Sequence, residues 1–133
     1  MNTMETLPLI LIIEDSHTQA KVLSIVLERY HLRTVIASDG AEGLRAAVEY
    51  HPDLIILDVN MPKMDGYQVC RRLKRDQDTM HIPVIMMTVS DDSQAMVKGL
   101  EAGADDYIAK DEWATENMFT TLRSYIAVEK GRE

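Results

Sequence analysis

Cysteine is nearly absent from this sequence: Cys70 stands alone in 133 residues. One thiol cannot form an internal disulfide or a cysteine-based zinc site, so a reducing, cytoplasmic setting is expected. Positive charge is also in deficit, with 14 Lys+Arg against 22 Asp+Glu and a net charge of −8. An acidic balance repels nucleic-acid phosphates and no Lys/Arg stripe offsets it, which argues against direct DNA or RNA binding. No apolar run approaches the roughly 20 residues that cross a bilayer, and the N-terminus lacks the basic start and apolar stretch of a signal peptide. A soluble chain with no membrane segment is expected. Phe and Trp are scarce, with one of each against nine Met, so aliphatic and pliable thioether side chains should fill the core.

What is present has the makings of one globular domain over residues 1–133, because 46% hydrophobic and 27% charged residues are ordinary proportions for a folded chain of this size. There is no internal repeat, low-complexity tract or linker. Five short apolar runs, Leu9–Ile13, Arg33–Ala37, Leu54–Leu57, Val84–Met87 and Tyr107–Ala109, have strand length. LILII, LIIL and VIMM are apolar at every position, the pattern of strands buried on both faces of a parallel sheet. The segments between them carry apolar residues at helical spacing: Ala20, Leu23, Leu27 and Tyr30; Leu44, Ala47 and Val48; Val69, Cys70 and Leu73 within a short helix from Tyr67 to Lys74; Met96, Val97 and Leu100; and Met118, Leu122, Tyr125 and Ile126. Ser16, Ser38 or Asp39, and Asp91 or Asp92 can cap helix starts, and Gly103 follows the fourth helix where a left-handed terminus is wanted. Pro52, Pro62 and Pro83 fall between elements. Strict strand–helix alternation predicts a doubly wound α/β fold with right-handed crossovers, helices on both faces and strand order 2-1-3-4-5.

Ligands of such sheets bind beyond the carboxyl ends of the strands. There the sequence places Glu14 and Asp15 after the first strand, Asp58 after the third, Thr88 after the fourth and Lys110 after the fifth. With strands about 4.8 Å apart, Asp58 is central and Lys110 begins roughly 10 Å away, a gap that its stem largely closes. Three crowded carboxylates need a cation or an ammonium to offset their charge. Oxygen-only donors suit Mg²⁺, and the absence of His and Cys from the strand ends argues against zinc or copper. A carboxylate beside Mg²⁺ and a lysine can attack a phosphoryl group, which would form an aspartyl phosphate.

These residues stand in ILIIEDS, LIILDVNMPKMDG, VIMMTVS and AGADDYIAK. In this order and spacing the chain resembles a response-regulator receiver domain of two-component signalling, of the single-domain chemotaxis type, over essentially its whole length. The resemblance implies a flavodoxin-like (βα)5 fold. It also implies that Asp58 accepts phosphate from a sensor histidine kinase or histidine phosphotransfer protein. Asp15, Asp58 and the backbone carbonyl of Asn60 would hold Mg²⁺ with support from Glu14. Thr88 and Lys110 would bind phosphoryl oxygens, and Tyr107 matches the switch aromatic that turns inward as Thr88 moves. The face of the fourth helix, fifth strand and fifth helix would then change its affinity for a downstream protein. Such a domain is not an enzyme beyond its own phosphorylation and dephosphorylation.

Two positions depart from the pattern. Asp111 replaces the usual Pro after the lysine, which should leave the following loop less constrained. Val89 replaces the usual small residue after Thr88, and its bulk is expected to shield the acyl phosphate and slow its hydrolysis. Among rival readings, a haloacid-dehalogenase-like phosphatase would need an acid/base Asp where Asn60 stands, the motif on the first strand, and a cap domain. A non-phosphorylated docking module conflicts with the intact Glu14, Asp15, Asp58, Thr88 and Lys110. The four histidines lack metal spacing and read as surface residues, with His17 nearest the acidic rim. Cys70 reads as a buried small hydrophobe and Trp113 as an exposed partner contact. The polar EKGRE ending is expected to be a natural terminus, which favours a stand-alone receiver.

Overall fold

The computed structural model of the chain describes residues 7–89 and 93–128. Strands and helices alternate: β1 (Leu9–Ile13), α1 (His17–Glu28), β2 (Arg33–Ala37), α2 (Gly40–Tyr50), β3 (Leu54–Asp58), α3 (Gly66–Arg75), β4 (Val84–Thr88), α4 (Ser93–Glu101), β5 (Asp106–Ala109) and α5 (Ala114–Leu122). All strand pairings are parallel and the order is β2-β1-β3-β4-β5, as the alternation predicts.

Successive side chains of a strand point to opposite faces, and here both faces are dry. Leu11, Ile13, Ile55, Leu57 and Met86 pack with Ala47 of α2 and with Val69, Cys70 and Leu73 of α3. Ile10, Ile12, Ile56, Ile85 and Ile108 pack with Leu27 of α1 and with Met118, Phe119 and Leu122 of α5. Every residue of β3 and β4 is buried, which is why LIIL and VIMM do not alternate. Each fully buried Ile or Leu contributes roughly 1.5–3 kcal/mol of transfer free energy, so the two layers together fix the sheet register.

Local signals set the helix ends. Ser16 accepts the Gln19 N–H, and Asp39, rather than Ser38, accepts the Glu42 N–H. The capping residues considered for α4, Asp91 and Asp92, lie outside the described residues. At its other end Gly103 adopts φ +96°, with Gly103 N–H donating to Leu100 O and Ala104 N–H to Gly99 O, both at 3.0 Å. This paired termination needs a left-handed residue, and glycine takes it without strain. Two histidines do the same work elsewhere. His31 (φ 62°) closes α1 with Leu32 N–H donating to Leu27 O, and His51 (φ 47°) closes α2 with its own N–H on Ala47 O.

The apolar stripe of α4 differs from the sequence reading, and α5 is shorter than its stripe suggests, although Ile126 still packs on the layer that holds Met118 and Leu122. Gly99 is the one buried residue of α4, while Met96, Val97 and Leu100 are exposed, Leu100 by 58%. The helix approaches the sheet through its smallest residue, so the stripe points outward. α5 ends at Leu122; Tyr125 and Ile126 follow in turns whose N–H groups donate to the Leu122 carbonyl. Among the described residues no helix is long and apolar enough to cross a membrane.

Candidate functional site

Each of four strands delivers a group to one rim of the sheet. β1 runs into Glu14, whose N–H extends the ladder by donating to Ala37 O at 3.0 Å. Glu14 is buried and Asp15 exposed, and each offers an oxygen within 4.8 Å of the other and of Asp58. Asp58 is the last residue of β3, 4% exposed, and opposite Met87 of β4. The sequence needs a glycine beside it. A methyl group on Gly66, the first residue of α3, would lie 2.6 Å from the Asp58 carbonyl oxygen and 2.7 Å from Val59 Cα. The Asp65-Gly66 pair therefore lets α3 start directly against the end of β3, with Asp65 and Gln68 forming a reciprocal cap.

Lys110 follows β5 and is pinned there by its N–H donating to Thr88 O at 2.6 Å. Its stem spans the whole gap expected from the strand spacing. Nζ donates to Asp58 Oδ1 at 3.0 Å, Glu14 Oε1 at 2.9 Å and Gln19 Oε1 at 3.1 Å. Asp58 Oδ1 also accepts the Asn60 N–H at 3.2 Å. Burial pushes the Glu14 carboxyl up to about 7, and its hydrogen-bonded contact with Asp58 adds to the rise, which the Lys110 ammonium only partly offsets. Burial works against the Lys110 charge, yet the hydrogen bonds to Glu14 and Asp58 hold it above the usual lysine range. The rim is thus a paired ionic cluster, which accounts for charged groups ending all-apolar strands.

Thr88 is buried at the end of β4, and its Oγ1 donates to Asn60 Oδ1 at 3.3 Å. Tyr107 of β5 is half-buried against the layer beneath α2 and α3. A methyl group on Gly99 of α4 would stand 3.5 Å from its ring, so α4, β5 and this aromatic meet at one point. Asp111, in place of proline, organises the loop by hydrogen bonds: its Oδ1 accepts the Trp113 N–H at 2.8 Å and its carbonyl accepts the Ala114 N–H at 3.1 Å. The looser loop expected there is tied into the start of α5. Val89 is 72% exposed beside the buried Thr88. Trp113 is exposed and Cys70 buried, as expected.

His17 lines a groove with Lys21 and Ile36 on the β2 side of α1, and the acidic group of Glu14, Asp15 and Asp58 is built without it. Two contributors escaped the sequence reading: the side chain of Asn60, which reaches Thr88, and Gln19, which reaches Lys110 from α1. On that side the rim opens into a groove of about 260 Å³ lined by Thr18, Val22, Leu23, Val26, Met87 and Thr115. Three close carboxylate oxygens without nitrogen or sulfur donors fit a hard divalent cation of the Mg²⁺ type.

Residues 10–123 match the family described as the response regulator receiver domain. Over 120 residues the chain is 41% identical to the DNA-binding dual master transcriptional regulator RpaA of Synechocystis sp., a match covering 90% of this chain and 49% of the relative. The chain spans about half or less of the length of the curated relatives it matches. It resembles the signal receiver domain of a signal transduction histidine kinase from Syntrophus aciditrophicus, with TM-score 0.81, 42% identity and 89% of each chain covered. It also resembles the receiver domain of the sensor histidine kinase PA1611 from Pseudomonas aeruginosa, with TM-score 0.81, 25% identity, and 90% of this chain and 98% of that one covered. That structure has a magnesium ion coordinated in its active site cleft.

Proposed function

The chain belongs to the response-regulator receiver domain family, and from that premise we propose that Asp58 is the phosphoacceptor of its phosphorylation-dependent switch. The observation that carries this assignment is the Asp58 carboxylate, 4% exposed at a strand end and bonded to the Lys110 ammonium at 3.0 Å. A buried carboxylate held this way is oriented for attack on phosphorus, and the ammonium lies where charge on the transferring group must be offset. In the transfer a carboxylate oxygen of Asp58 forms the new P–O bond. The bond from phosphorus to the donor breaks, and the leaving group departs with its electron pair.

Glu14, Asp15, Asp58 and the Asn60 backbone carbonyl would hold Mg²⁺, an oxygen set like that of other hard-cation sites. When bound, the ion neutralises oxygens of the transferring group. Thr88 now gives its hydroxyl to Asn60; on the phosphorylated protein it turns to a phosphoryl oxygen, and Tyr107 repacks toward the space it leaves. The readout is the surface of α4, β5 and α5, where Met96, Val97 and Leu100 are exposed and would meet a downstream protein. The donor is the phosphohistidine of a sensor kinase or phosphotransfer protein, so a cytoplasmic location follows. The net charge of −8 disfavours nucleic-acid contact by this span itself. Its own phosphorylation and dephosphorylation are the reactions assigned to it.

Incubation with acetyl phosphate and Mg²⁺, followed by intact-mass measurement, tests the assignment. The wild-type chain gains one phosphoryl group and Asp58→Asn gains none. Equal labelling of both would place the acceptor elsewhere.

A further inference from the structure

Two helices of this protein begin with the same capping spacing and use it differently. At α3, Asp65 accepts the Gln68 N–H at 2.9 Å, and Gln68 Oε1 returns to accept the Asp65 N–H at 3.2 Å. At α1, Ser16 likewise accepts the Gln19 N–H, at 3.3 Å. The return bond is missing there, and the Ser16 N–H donates instead to Glu14 Oε2 at 3.4 Å. The acceptor that would close the box, Gln19 Oε1, takes the Lys110 ammonium at 3.1 Å, across 91 positions of sequence. A lysine ammonium has three donors, and Glu14, Asp58 and Gln19 account for all three.

We propose that Gln19 is a positioning residue whose side-chain carbonyl fixes the Lys110 ammonium against Asp58 for phosphoryl transfer. Glu14 and Asp58 alone would leave the ammonium free to swing toward the groove between α1 and α5, since a lysine stem carries four flexible methylenes. The amide oxygen closes that direction as a third acceptor for the ammonium. Gln19 is exposed at the end of this groove, which gives a docked phosphodonor protein a contact one bond removed from Lys110. When Lys110 turns to a phosphoryl oxygen, Gln19 Oε1 becomes available to the Ser16 N–H and the α1 box can close as it does at α3.

The inference rests on the phosphoacceptor reading, and its test separates the two. Gln19→Met keeps the size of the side chain and removes the acceptor; Gln19→Glu restores an acceptor. Phosphorylation by acetyl phosphate with Mg²⁺ is followed in each, together with the ¹H–¹⁵N signal of the Lys110 ammonium in the unphosphorylated protein. Gln19→Met should slow transfer about tenfold with little change in half-saturating acetyl phosphate, equivalent to about 1.4 kcal/mol, and broaden the ammonium signal. Gln19→Glu should recover the signal and bring the rate to within about threefold of wild type. An unchanged rate and signal in Gln19→Met, or a Gln19→Glu as slow as Gln19→Met, would overturn the proposal. If the wild-type chain took no phosphoryl group, the phosphoacceptor reading would fall, while the ammonium comparison would still decide whether Gln19 holds Lys110.

Discussion

Glu14 and Lys110 stand 96 positions apart in the chain and 2.9 Å apart at the rim. Each is half of the other's charge balance, and Asp58 completes the group. Lys110→Met should leave two buried carboxylates facing each other without a counter-charge. We expect a loss of about 1–3 kcal/mol in urea unfolding, in the range for stranded polar groups, and a phosphorylation rate lower by about 100-fold. Millimolar Mg²⁺ should recover more stability in the variant than in wild type, because it replaces the missing positive charge. Identical stability of the two proteins without Mg²⁺ would contradict this account.

Gly66 touches backbone and not a flexible side chain, so its neighbours cannot simply rotate away from a methyl group. Gly66→Ala should cost about 2–3 kcal/mol through overpacking and displace the start of α3 from Asp58. Chemical unfolding measures the first effect and acetyl phosphate labelling the second. An alanine variant with wild-type values in both would show that the close approach is relieved at no expense.

The Cys70 thiol is pushed up to about 11 by burial. At pH 8 the native protein should react with an aromatic disulfide reagent at least about 100-fold more slowly than the urea-unfolded chain, because the thiolate is the nucleophile. The folded value lies above the unfolded one, so neutral Cys70 favours the fold below about pH 9. That contribution is lost as pH rises through about 11. Rapid labelling at pH 8 would mean that the α3 layer opens readily.

Val89 follows the buried Thr88 and is largely in solvent. Its truncation to alanine should change unfolding free energy by less than about 0.5 kcal/mol. The shielding role predicted for its bulk gives a separate outcome: phosphorylated Val89→Ala should lose its phosphate several-fold faster than the parent, followed by intact mass after donor removal. Equal lifetimes would remove that role.

The strand positions were legible because burial on both faces leaves an unbroken apolar run, and LIIL and VIMM can be little else. The rim was legible for a related reason: Asp58, Thr88 and Lys110 are polar groups at the ends of such runs, where a polar side chain without partners is unfavourable. Less was visible at α4. Met96, Val97 and Leu100 have the spacing of a buried stripe, but a helix can also bury its smallest residue, and periodicity does not tell the two apart. The left-handed ends at His31 and His51 were hidden because histidine carries no turn signature comparable to glycine's. Gln19 was hidden by its own spacing from Ser16, which points to a local cap, while its real partner lies on the far side of the sequence.

The rim takes groups that follow or end β1, β3, β4 and β5, and the last of them, Lys110, comes late in the chain. No contiguous fragment short of nearly the whole sheet contains the site. Occupancy of this site must therefore report on global rather than local folding: a ligand bound there stabilises the complete sheet, and on the phosphoacceptor reading a chain stalled before β5 joins lacks the Lys110 ammonium and would take up phosphate far more slowly. On that reading the topology makes the chemical signal a mark of a finished fold.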